Sequence, residues 1–140
     1  MGFNARMAFG SVLLSIITLA SPAFATDEPR ACESGPYVVM IHAEWCGTCN
    51  AIGPTWEQLR MDAGDQATLV TLDVTDRAAF DASKATAEKL GIADFFLDYR
   101  RQTGTVAVID CKTLRTVSIL RAERDLSKYR EAIAKATPAS

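Results

Sequence analysis

The sequence predicts an α/β domain with a central mixed sheet of about four strands flanked by helices. Three observations point there. A continuous apolar run rich in β-formers at residues 37–43 (YVVMIHA) reads as a strand buried on both faces. Helical and strand-like segments then alternate, which implies parallel pairing and a sheet covered on both sides. Two short β-rich runs near the C-terminus, residues 105–109 and 116–120, are spaced for a hairpin.

The elements follow in order. Residues 26–36 are a polar lead-in with two prolines and a glycine. After the first strand the period changes: Ile52, Trp56 and Leu59 fall at i, i+4 and i+7, one stripe of a helix, and Pro54 within it is expected to kink it. Residues 67–74 (ATLVTLDV) make a second strand. Thr75 or Asp76 is placed to cap a helix running to about Leu90, with Gly91 as its stop. Leu126, Tyr129 and Ile133 give a closing helix, capped by Asp125 or Ser127.

A length of 140 residues is one domain's worth of chain. With 49% hydrophobic and 23% charged residues the composition is that of a globular protein, not of a disordered chain or a coiled coil. A net charge of −2, an isoelectric point near 5.4 and the lack of a Lys/Arg cluster argue against nucleic acid as a partner. Residues 1–25 read as a secretory signal: Arg6 supplies the positive start, residues 7–20 a mostly apolar core, and Ala23-Phe24-Ala25 a small-residue cleavage site. The core falls short of the roughly 18 uninterrupted apolar residues of a membrane span, so an uncleaved anchor is the weaker alternative. The expected division is a signal peptide at 1–25 and one domain at 26–140. The processed protein would be periplasmic or secreted, and not membrane-embedded. Such a compartment is oxidising, and disulfides persist there.

Chemistry is concentrated in Trp45-Cys46-Gly47-Thr48-Cys49, where a buried strand ends and a helix begins. Two cysteines three apart in a first helical turn bring their sulfurs within bonding reach. The free N–H groups and dipole of the helix start stabilise a thiolate on Cys46, making it a nucleophile. Cys49, deeper in the helix, is placed to attack a mixed disulfide formed on Cys46. A static disulfide and half of a zinc site are the plainer readings; zinc would need two more ligands at workable spacing. Asn50, not His, follows Cys49, which excludes a c-type haem attachment. No cofactor and no metal is assigned. His42 reads as a half-buried packing residue. A copper site of Cys46, Cys49 and His42 is the sharper alternative, since thiolates with imidazole suit Cu(I).

Residues 37–49 (YVVMIHAEWCGTC), followed by Pro54, resemble the active-site region of the thioredoxin family. The similarity is sharpest from residue 37 to residue 59 and extends, in element order, over nearly all of the chain after residue 25. The resemblance implies a thioredoxin-like fold and thiol–disulfide oxidoreductase activity, with Cys46 attacking and Cys49 resolving. It implies that Trp45 shields the site, that Gly47 and Thr48 space the cysteines, and that Pro54 is the helix-kinking proline of the family. The partners implied are protein disulfides or dithiols and a redox partner protein.

Three positions depart from the family pattern. Met40 stands where thioredoxins carry a buried Asp six residues before the first cysteine, which leaves no acid there to take the proton from Cys49. Thr71 stands where a Lys is often found on the next strand. Gly104 fills the place of the cis-proline that shapes the groove beside the dithiol. Ahead of it, residues 93–103 are an added segment whose Phe95, Phe96, Leu97 and Tyr99 read as a short apolar helix near the active site. That helix reads most simply as core packing, with a peptide-docking surface as the sharper alternative. The Gly47-Thr48 pair lacks the His that strongly oxidising relatives place between the cysteines, which leans toward a reductase. In the thioredoxin-like arrangement the strands at 37–43 and 105–109 are antiparallel neighbours. Cys32 and Cys111 are therefore expected to form a second, structural disulfide at the edge opposite the active site, two unrelated thiols being the alternative.

The expected function is an exported thiol–disulfide oxidoreductase. The alternative is a copper-binding or redox-sensing thioredoxin-fold module without general turnover.

Overall fold

The computed structural model describes residues 35–137; the expected signal at 1–25 and Cys32 lie outside them. The elements run β1 (Tyr37–His42), α1 (Gly47–Ala63), β2 (Thr68–Asp73), α2 (Arg77–Lys89), α3 (Ala93–Tyr99), β3 (Thr105–Ile109), β4 (Thr116–Arg121) and α4 (Leu126–Ala136). The sheet order is β2-β1-β3-β4, with β1 parallel to β2, β3 antiparallel to β1, and β4 antiparallel to β3. This is the mixed four-stranded sheet that the sequence predicts, with β1 inside it.

Alternation along β1 divides the core. Val38 and Met40 pack with Val106 and Val108 of β3 against Ile52, Trp56 and Leu59 of α1 and Tyr129 and Ile133 of α4. Tyr37, Val39 and Ile41 pack on the other face with Ala107 and Ile109, against Ala87 of α2 and Phe96 of α3. Helices thus cover both faces, which is why β1 is apolar throughout rather than at every second residue.

The element ends follow local chemistry. The first strand stops one residue before the apolar run does, because the Cys46 N–H turns back to the Ala43 carbonyl at 3.1 Å and starts α1. Pairing outlasts β2, since the Val74 N–H still donates to the His42 carbonyl at 2.8 Å. Of the two candidate caps for α2 it is Asp76 that accepts the Ala79 N–H, at 2.8 Å, and Gly91 at φ +75° turns the chain beyond the helix. Asp125, not Ser127, caps α4, accepting the Ser127 N–H at 2.9 Å. Asp110 shapes the β3–β4 hairpin by accepting the Lys112 and Thr113 N–H groups at 2.8 and 2.9 Å, bonds that hold its carboxyl below the usual range.

Of the two readings of the added segment, core packing is the one seen at Phe96, while Phe95 and Tyr99 are half-buried beside it. Phe96 is fully buried, its ring 5.2 Å from that of Phe80, and Phe95 stacks on Tyr99 at 4.7 Å. Leu97 alone of the four stands out, at 38% exposure. The segment repays its own ordering by extending the core of the α2 face.

Replacing Phe96 by Ala is expected to cost about 3–5 kcal/mol of unfolding free energy in urea. Leu97→Ser should stay within about 0.5 kcal/mol of the unmodified protein. Equal effects of the two would place α3 outside the core.

Candidate functional site

The end of β1 delivers the chain to α1 through a single turn, and Cys46 occupies the N-cap position. Its backbone is extended, and its sulfur accepts the N–H of Cys49 at 3.1 Å. Ser, Thr or Asp oxygens usually fill this role for the orphan donors of a first turn. Here a sulfur does so, in a position where negative charge gains from both the donor and the helix dipole. Cys46 and Cys49 are joined as a disulfide with α-carbons 5.2 Å apart. Cys46 is 6% exposed and Cys49 1%, and the Cys49 sulfur lies 3.8 Å from the Ile41 carbonyl oxygen. Both cysteines are thus largely enclosed, Cys46 slightly less so than Cys49.

The neighbouring residues are tied to other elements. Gly47 and Thr48 are exposed at the helix start. Trp45 is 67% exposed, and its indole N–H donates to the Thr75 carbonyl at 3.1 Å. The Glu44 N–H donates to the Thr75 hydroxyl at 2.9 Å, and the Thr75 N–H to Asp73 Oδ1 at 2.7 Å. The turn after β2 therefore braces the turn before Cys46. Nothing in the sequence marked Thr75 for this, because its partners are about thirty residues away. Pro54 lies on the exposed side of α1, and the helix runs on through it from Gly47 to Ala63.

Gly104 is where the resemblance placed it, directly against the pair. Its N–H donates to the Ile41 carbonyl at 2.8 Å, a bond that a proline cannot make. It sits at φ +81°, and a Cβ there would fall 2.6 Å from Thr48 Cγ2 and 3.9 Å from the Cys46 sulfur. Both the backbone angle and the space demand glycine.

Behind Cys49, Met40 of β1 pairs in register with Thr71 of β2, and no carboxylate occupies either position. The two side chains line a cavity of about 450 Å³ together with His42, Cys49, Asn50 and Trp56. The half-buried setting expected of His42 is observed, but its Nδ1 is buried and lacks a hydrogen-bond partner among the described residues. The strand period was a usable signal here, because His42 is two residues beyond Met40 and so on the α1 side of the sheet. With Cys46 and Cys49 joined as a disulfide, no group of three or more His, Cys, Asp or Glu side chains that could hold a metal ion is found among the described residues.

Cys111 is disulfide-bonded, while its expected partner Cys32 lies outside the described residues. The register Tyr37↔Ile109 brings the start of β1 beside the end of β3, away from Cys46. No helix among the described residues is long and apolar enough to cross a membrane.

Gly104→Ala is expected to lower stability by roughly 1–3 kcal/mol through the positive φ and the contact with Thr48. Adding Thr48→Ser, which removes the crowding methyl, should recover the steric share and leave the backbone share. Denaturant unfolding of the three proteins checks this, and a neutral Gly104→Ala would mean that the loop is not held against α1.

Comparison with known proteins agrees with this geometry. The thioredoxin family model matches residues 17–95, more than half of the chain. The chain is 36% identical over 70 residues to thioredoxin of Bacillus subtilis, covering 49% of this chain and 62% of that protein. It is 34% identical over 71 residues to thioredoxin of Mycolicibacterium smegmatis, covering 51% of this chain and 58% of that one. It thus spans about six tenths of the length of these relatives. A solution structure of a thioredoxin-like protein in the oxidized form shares the fold, with a TM-score of 0.50 and 16% identity over 73% of this chain and 80% of that one. With the element order, the cysteine pair at the start of α1 and the family match together, the chain belongs to the thioredoxin family.

Proposed function

We propose that this protein is an exported thiol–disulfide oxidoreductase that reduces or exchanges disulfides in protein partners through Cys46 and Cys49. The observation that carries this reading is the Cys46 sulfur acting as the cap of α1, on the N–H of Cys49 at 3.1 Å. In the reduced protein the same donor and the helix dipole favour the Cys46 thiolate. That thiolate attacks one sulfur of a partner disulfide. A Cys46–partner bond forms, and the other partner sulfur leaves with the electron pair and takes a proton. Cys49 then attacks the Cys46 sulfur, forming the Cys46–Cys49 disulfide and releasing the partner as a dithiol. Two electrons pass to the partner, and a second protein with a reducing dithiol restores the pair.

The other residues take supporting roles. Gly47 and Thr48 set the spacing, Trp45 shields the outer sulfur, and Pro54 shapes α1. Gly104 leaves the approach to Cys46 free of any side chain of its own. Cys32 and Cys111 form a structural disulfide, a reading supported by the β1–β3 register and by the bonded state of Cys111. Export rests on residues 1–25 and on cleavage after Ala25, leaving a periplasmic or secreted protein.

The mature protein is expected to catalyse insulin reduction by dithiothreitol, and Cys46→Ser to abolish the catalysis. Limited alkylation should label Cys46 before Cys49. Insulin reduction that survives Cys46→Ser would overturn the assignment. N-terminal sequencing of exported material should begin at Thr26; an intact Met1 on a membrane-bound product would reverse the assigned location.

A further inference from the structure

We infer that His42 is the proton acceptor for the Cys49 thiol in the second step of exchange. The inference rests on the reading of Cys46 and Cys49 as an exchange pair. Among the described residues, His42 Nδ1 is the buried side-chain nitrogen or oxygen that lacks a hydrogen-bond partner. Burying such an atom costs folding free energy, and an apolar side chain would fill the same place without that cost. The orphaned atom belongs to a residue that lines the same cavity as Cys49.

The placement follows from the strand. His42 ends β1 on the side of the sheet where Val38 and Met40 meet α1, and Cys49 lies in the first turn of that helix. The other charged groups on this side are committed elsewhere. Glu57 and Arg60 of α1 line the cavity, but they pair with each other at 2.5 Å. Asp73, the register partner of His42 on β2, accepts the Thr75 N–H. Met40 and Thr71 bring no titratable group.

Cys49 needs such a partner. In the mixed disulfide it is a thiol that is 1% exposed, and it attacks only after losing its proton. An imidazole exchanges protons near neutrality. The cavity that both residues line, about 450 Å³, has room for a water to complete the path. The S–H proton of Cys49 passes to Nδ1, directly or through that water, and the Cys49 thiolate attacks the Cys46 sulfur. The Cys46–Cys49 bond forms as the Cys46–partner bond breaks. The electron pair leaves on the partner sulfur, which takes a proton from the imidazolium or from solvent.

The protein has one histidine, so in untagged material its ring protons give a single set of NMR signals. Their titration midpoint is expected to differ between the disulfide and dithiol forms, as it does for interacting groups. The same midpoint in both forms would overturn the proposal. A symmetric aromatic disulfide that frees one coloured thiolate at the Cys46 step and a second at the Cys49 step separates the two reactions. His42→Gln is expected to slow the second release, relative to the first, by about tenfold or more at pH 7, with the deficit shrinking as pH rises. An unchanged ratio of the two rates, or equal slowing of both, would reduce His42 to a packing residue. If the unmodified protein shows no first release at all, it is the oxidoreductase reading that fails, and the NMR comparison still decides whether His42 and Cys49 are coupled.

Discussion

The carbonyl oxygen of Ile41 accepts the Gly104 N–H at 2.8 Å and lies 3.8 Å from the Cys49 sulfur. Ile41 itself is fully buried in β1, the strand that pairs with both β2 and β3. Through this one acceptor the loop before β3 and the first turn of α1 take their positions from the same point of the sheet. The exposed faces of the site, Trp45 and Thr48, are set from there. Trp45 is held by the turn after β2, and Thr48 by the close approach of Gly104. A rigid strand thus fixes a pair of sulfurs on which the proposed reaction makes and breaks bonds.

The electrostatics of the pair come from the backbone rather than from charged side chains. The donor on the Cys46 sulfur is a peptide N–H, and the helix that begins there supplies the rest. The described ion pairs lie on the outer surfaces of the helices, such as Arg77–Asp81 and Lys84–Glu88 on α2 and Lys135–Glu131 on α4. Exposed pairs of this kind are screened by solvent and contribute little to stability. What separates the two cysteines is a small difference in exposure, with Cys49 the more enclosed and sharing a cavity with Met40, Thr71 and His42.

Patterns that repeat along the chain were readable, and contacts between distant segments were not. The apolar run of β1, the stripe of Ile52, Trp56 and Leu59, the Asp76 cap and the Gly91 stop each depend on near neighbours, so sequence spacing reveals them. The first turn of α1 is likewise local, and Cys46 and Cys49 were legible for that reason. The apolar run of α3 read most simply as core packing, but its partner Phe80 was not legible, because how α3 docks on α2 is set by tertiary contacts. Thr75 offers no sequence signal for its bonds to Glu44 and Trp45. Gly104 was located only through family resemblance, and its reason, the contact with Thr48, is tertiary. His42 was half legible: its strand parity gives the face, but not the lack of a partner for Nδ1.

The central claim is that the start of α1 holds negative charge on Cys46. Ultraviolet titration of the thiolate in reduced Cys49→Ser, which keeps the backbone N–H and leaves Cys46 as the thiol of the pair, tests it most directly. The expected result is ionisation of Cys46 below the value of about 8.5 typical of a free thiol, returning to that value when urea unfolds the protein. The same midpoint in the folded and unfolded protein would contradict it.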